Sequence, residues 1–159
     1  MRLLGFIAAM ALNTATQAAD YTVVRATADV NVSAVRAWAT IGDYCAGLTK
    51  LFDMPCTYAT GSGALGTVRS LRDGAVLEPM LAQTAQSYTY GQIAGSNVGL
   101  DFHGTLAVQP LAADRSQISY TAVYDQSRLA NEARAGRRQA MQTSFEKVVA
   151  KAKAIVEAN

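Results

Sequence analysis

Two cysteines, a lone histidine and one pair of opposite charges are the residues of this chain best suited to chemistry. Cys45 and Cys56 stand eleven positions apart within IGDYCAGLTKLFDMPC. Such a pair serves as a nucleophile with a base, as metal ligands or as a disulfide. His103 is the only histidine, so nucleophilic machinery has one possible base and no visible group to orient it. Zinc needs four protein ligands, or three and a water, and the cysteine spacing matches no common zinc pattern. An even pair in an oxidising compartment reads as a disulfide instead. The compartment is read from the start, MRLLGFIAAMALNTATQAAD, where Arg2 precedes an uncharged run at 3–12 and small residues around Thr16-Gln17-Ala18. That is the layout of a secretory signal peptide over residues 1–18. Its apolar run is shorter than the roughly 20 residues that span a bilayer. The expectation is a periplasmic or secreted protein with no stable membrane insertion after cleavage, stapled by Cys45–Cys56.

The opposite charges are Arg69 and Glu78. Asp73-Gly74 between two extended runs signals a two-residue hairpin turn. With that turn Arg72 pairs with Ala75, Leu71 with Val76 and Arg69 with Glu78. The charges then face each other on the side that also carries Leu71, Val76 and Met80. Such a pair is either a solvated salt bridge contributing about 0–1 kcal/mol, or a polar anchor on an apolar inner surface, where desolvation offsets the attraction. Tyrosines add to the pattern: Tyr88 and Tyr90 share one strand face, and Tyr120 and Tyr124 share another across Ala122. Facing inward, they make either an aromatic core or a roomy apolar cavity with hydrogen-bonding points.

Other motifs carry less. GSGALG at 61–66 matches G-x-G-x-x-G but runs into TVRSLRDG, a strand and hairpin rather than the helix that a pyrophosphate needs. G-x-S-x-G and H-E-x-x-H are absent, so no cofactor and no metal are expected. A net charge of +2 gives no reason to expect nucleic acid. Arg134, Arg137 and Arg138 read as a solvated helix face with Glu132 beside it, and His103 as an outward side chain.

These residues need elements to hold them. Residues 20–30 are rich in β-branched side chains and read as a strand. SAVRAWATIGDY reads as a short helix with Val35, Trp38 and Ile41 near one face, and 44–52 as a second short helix or turn. Strands are expected at 56–60, 65–72, 75–83, 86–94, 99–109 and 116–125. In GLDFHGTLAVQ, Leu100, Phe102, Leu106 and Val108 share one face. Residues 128–157 form a long helix with Met141, Phe145, Val148, Val149, Ala152, Ile155 and Val156 on one apolar stripe. An antiparallel meander must cover its apolar face, and this helix is the element able to do so. Residues 19–159 are long enough for a single domain with a real core.

The segments IGDYCAGL, GALGTVRSLRDGAVLEPML, SYTYGQI and ISYTAVYD before a terminal helix resemble the bacterial polyketide cyclase/dehydrase-like proteins. These belong to the START and birch-pollen-allergen superfamily, also called SRPBCC. The resemblance implies an α+β helix-grip fold: a curved seven-stranded antiparallel sheet around a long C-terminal helix, with two short helices between strands 1 and 2. It also implies a cavity between sheet and helix for an apolar small molecule or lipid. Carried over by position, it turns Arg69, Leu71, Glu78, Tyr88, Tyr90, Phe102, Tyr120 and Tyr124 inward, and adds Met141 and Phe145 from the helix. The implied function is an exported carrier. Its alternatives are a cyclase-, dehydrase- or hydrolase-type enzyme using Arg69 and Glu78, or an accessory of a periplasmic oxidation system.

Overall fold

Strict alternation of buried and exposed side chains builds the first strand, β1 (Tyr21–Val30), which turns Thr22, Val24, Ala26 and Val30 inward. The computed structural model describes residues 18–158. The expected signal peptide, apart from Ala18, lies outside the described residues. β1 pairs along its whole length with the last strand, β7 (Arg115–Asp125), from Tyr21 opposite Asp125 to Val30 opposite Ser116.

Two helices follow β1. In α1 (Ala34–Ile41) the Ser33 hydroxyl accepts the Arg36 amide, capping the first turn. That start sets the rotation of the helix, so Ala34, Ala37 and Ile41 are buried and Trp38 is half-buried. Val35, expected on the inner face, is 71% exposed. The open choice over residues 44–52 resolves as a helix, α2 (Ala46–Phe52). The Asp43 carboxylate precedes it and accepts the amides of Cys45 and Ala46. Cys45 and Cys56 are joined as a disulfide, with Cα atoms 5.3 Å apart, tying the start of α2 to the start of β2 (Cys56–Thr60).

Then come β3 (Val68–Leu71), β4 (Val76–Thr84), β5 (Ser87–Tyr90) and β6 (His103–Ala112). The antiparallel sheet has the order β1-β7-β6-β5-β4-β3-β2. The β3–β4 turn is the expected one: Ala75 donates to the Arg72 carbonyl at 3.1 Å, with φ of 54° at Asp73 and 90° at Gly74. β4 bends midway. Val76–Pro79 pair with β3, the register shifts between Met80 and Ala82, and the remainder pairs with β5. Pro79 lacks an amide hydrogen and sits just before that shift, where the ladder can spare one. A sheet bent there curls around its inner face.

Three strands are shorter than their patterns. β3 begins at Val68 rather than 65 because residues 61–66 are bends and turns. β5 stops at Tyr90, and β6 starts at His103, not 99. Between them Gly95, Gly99 and Asp101 have φ of 123°, 82° and 47°, which a pleated strand cannot use. Leu100 and Phe102 are buried all the same, but as part of a turn and its exit.

A 3-10 turn (Gln126–Arg128) leads to α3 (Asn131–Glu157), three residues later than expected, because Asp125 caps the turn by accepting the Ser127 amide. Phe145, Val148, Val149, Ala152 and Val156 are the buried side of α3, which packs on β1 and β7. Met141 and Ile155 are half-buried. No helix among the described residues is long and apolar enough to cross a membrane.

Two expectations follow. Replacing both cysteines by alanine should lower unfolding free energy by about 2–4 kcal/mol, read by urea denaturation; an unchanged midpoint would remove the disulfide from the stability account. Bonds from Ser127 and the Asp20 amide hold the Asp125 carboxyl down at about 2. The folded value is depressed, so this contribution is present above the ordinary aspartate range and is lost as pH falls toward 2. The stability gap between wild type and Asp125→Asn should be flat above about pH 5 and shrink below it.

Candidate functional site

The β3–β4 hairpin places Arg69 directly opposite Glu78. Arg69 is 0% exposed, and Glu78 is also buried. Nε and Nη2 of Arg69 lie 2.8 and 2.7 Å from one carboxylate oxygen, Glu78 Oε2. Nη1 donates to the Tyr44 carbonyl at 2.8 Å and lies 3.5 Å from the Tyr88 hydroxyl. Aromatic faces complete the enclosure: the guanidinium carbon is 4.2 Å from the Tyr44 ring centre, 4.4 Å from Tyr90 and 5.6 Å from Tyr88. Burial works against the cation, but the Glu78 carboxylate beside it offsets that cost, and the guanidinium is held charged. The pair is buried on the inner face of the sheet and is not a solvated bridge.

The second carboxylate oxygen, Glu78 Oε1, accepts from Gln92 Nε2 at 3.2 Å. Tyr44 donates its hydroxyl to the Glu78 carbonyl at 2.9 Å. Farther along the sheet the Tyr90 and Tyr120 hydroxyls meet at 2.9 Å. Burial pushes both phenols well up, so they remain neutral hydrogen-bonding groups. Tyr90 has room only because residue 104 is glycine: a Cβ there would stand 2.4 Å from its ring.

Above this floor, between the sheet, α2 and α3, lies a cleft of two adjoining pockets of about 260 and 310 Å³. Phe52, Glu78, Tyr90, Ser96 and Ser144 line both. The connection from β5 to β6 forms one rim; backbone bonds tie it to β4 at Leu77 and to Asp125 of β7, and side chains add further ties. The Gln92 side chain accepts the Asn97 amide, and Arg137 of α3 donates to the Ser96 carbonyl and to Asn97 Oδ1.

Of the residues expected to face a ligand, Leu71, Glu78, Tyr90 and Tyr120 line the first pocket. Glu78, Tyr90, Phe102, Met141 and Phe145 line the second. Arg69, Tyr88 and Tyr124 are buried on the same inner side but line neither pocket. Sequence reasoning missed Leu48 and Phe52 of α2, Gln92 and Ser96 of the rim, and Arg137 and Ser144 of α3. The apolar period of α2 was the one available signal for the first two. Arg137, expected to be solvated, is half-buried and tethered; Arg134 reaches the Leu129 carbonyl and lies 3.7 Å from Asp20, and Arg138 alone is exposed. His103 is half-buried on the opposite sheet face, with Nδ1 3.1 Å from the Asp101 carbonyl. GSGALG is a turn leading into β3. Among the described residues no cluster of His, Cys, Asp or Glu is placed to hold a metal ion.

No family model and no curated protein matches the sequence. Solved structures do. One is a protein from Nitrosospira multiformis, 19% identical with a TM-score of 0.68 over 84% of this chain and 94% of that one. Another is the Zhui aromatase/cyclase of a Streptomyces species, 15% identical with a TM-score of 0.69 over 87% and 94%. A norcoclaurine synthase point mutant from Thalictrum flavum, in complex with a transition-state analogue, is 18% identical with a TM-score of 0.56 over 86% and 98%. The chain therefore shares the helix-grip fold of these proteins, with the sheet, paired short helices and long terminal helix in the expected order.

Removing one member of the buried pair strands the other. Arg69→Met should destabilise by about 3–5 kcal/mol, and adding Glu78→Leu should recover much of that loss. Additive losses in urea titrations of the single and double variants would refute the coupling.

Proposed function

We propose that this is an exported binding protein for a small apolar molecule held in the cleft between sheet and α3. The observation that carries the reading is the cleft lining: Phe52, Tyr90, Phe102, Met141 and Phe145 surround a few convergent polar groups, among them Glu78, Gln92 and Ser144. A concave surface in which aromatic side chains stand among convergent polar groups is what a small-molecule site looks like. The pocket volumes favour one ring system or one short chain over a two-chain lipid. Burying ~200 Å² of such a ligand at about 25 cal/mol per Å² contributes roughly 5 kcal/mol before association costs. The Cys45–Cys56 disulfide supports a periplasmic or secreted location. Arg69 acts here from beneath, holding the Glu78 carboxylate in place.

One observation favours an enzyme as the second reading. Glu78 is the carboxylate that lines both pockets, and its Oε1 is shared with Gln92 alone among the described residues. In a cyclase- or dehydrase-type reaction it would move a proton on a bound carbonyl compound. Glu78→Gln would then abolish turnover and keep binding.

Native mass spectrometry of the protein purified from its own host tests the first reading. A discrete excess mass is expected, released on denaturation and missing from Ser144→Trp, whose indole would occupy the cleft. A clean protein mass in both would count against a tightly held ligand and bring turnover assays forward.

A further inference from the structure

Charge in the cleft is unbalanced. Arg72, Glu78 and Arg137 are the charged side chains that line its two pockets. Glu78 is neutralised from beneath by Arg69. Among the described residues, neither Arg72 nor Arg137 takes part in an ion pair. Arg72 is exposed at the hairpin tip, where solvent and salt screen it. Arg137 is different. It is half-buried, and its acceptors, the Ser96 carbonyl and Asn97 Oδ1, are both neutral and both bound through Nη2. Its Nε–H is shut off from solvent and has no acceptor among the described residues.

A second incomplete group lies beside it. The Tyr124 ring centre is 5.8 Å from the Arg137 guanidinium carbon. Tyr124 is 0% exposed, and its hydroxyl also lacks a partner. Buried donors are normally satisfied, and a donor on a cation gains most from an anionic acceptor. A carboxylate brings two such oxygens and matches the planar guanidinium. The rest of this pocket includes Phe52, Phe102, Met141 and Phe145, which suit a hydrocarbon body.

We propose that the cleft takes a small apolar monocarboxylate, with its carboxylate held by Arg137 and its body between Phe102, Met141 and Phe145. This rests on the binding reading above and names the ligand class.

Calorimetric titration of the purified protein with 3-phenylpropionate and octanoate, each beside its neutral amide, tests it. Each acid should bind at least about tenfold more tightly than its amide. That gap should narrow with added salt, close in Arg137→Gln, survive in part in Arg137→Lys and remain in Arg138→Gln. Acid and amide binding equally well would overturn the carboxylate assignment and leave cleft binding standing. A gap that persists in Arg137→Gln would overturn the role of Arg137. No binding by any of the four probes would overturn both readings. If Arg137→Gln disorders the end of α3, the wild-type gap decides together with the NMR shift of the Arg137 Nε–H on adding 3-phenylpropionate: a downfield move supports the contact, and a stationary resonance refutes it.

Discussion

A guanidinium with no exposed surface is the constraint on which this end of the molecule depends. Burying Arg69 is unfavourable unless every side of it is answered, and each answer comes from a different element. Glu78 comes from β4, the Tyr44 carbonyl from the link between α1 and α2, and the rings from Tyr44, Tyr88 and Tyr90. The charge therefore specifies where four segments meet. Buried ion pairs seldom add much net stability against an apolar replacement. What this one adds is position: a Glu78 carboxylate that points at the cleft with one oxygen committed and the other shared only with a side-chain amide.

That arrangement explains why the space between sheet and helix is modest. Arg69, Tyr88 and Tyr124 occupy the deep inner surface themselves, and the Tyr90–Tyr120 hydroxyl pair closes the floor. The open volume lies nearer α2, the β5–β6 connection and the first half of α3. Its floor is rigid and polar beneath an aromatic skin. Its rim is held by backbone bonds to Leu77 and Asp125, one bond to the Gln92 side chain and two from Arg137.

Much of this was legible from residue order. Asp73-Gly74 set a register that placed Arg69 against Glu78, and alternation around Tyr88, Tyr90, Tyr120 and Tyr124 turned those side chains to the correct face. An even cysteine pair behind an export-type leader led to the staple. What could not be read follows from tertiary geometry. Leu100 and Phe102 keep a strand-like alternation although Gly99 and Asp101 twist the chain out of any strand, because burial sets the pattern there and pairing does not. Val35 was misplaced because three apolar residues near helical spacing do not fix rotation when Ala34 and Ala37 fit the core better. Gln92, Ser96, Arg137 and Ser144 share no period at all. They meet only because β4 bends and the sheet curls beneath α3.

The long helix is uneven along its length. Every fully buried side chain of α3 falls between Phe145 and Val156. The turns before them hold on through Met141 and the tethers of Arg134 and Arg137, with Gly136 in their midst. The two halves therefore differ in how readily their amide hydrogens exchange with solvent. The second half opens only when the core does, while the first can fray by breaking a few side-chain bonds and little apolar contact. One wall of the cleft is thus held to the body by fewer buried apolar side chains than the stretch of helix that it leads into.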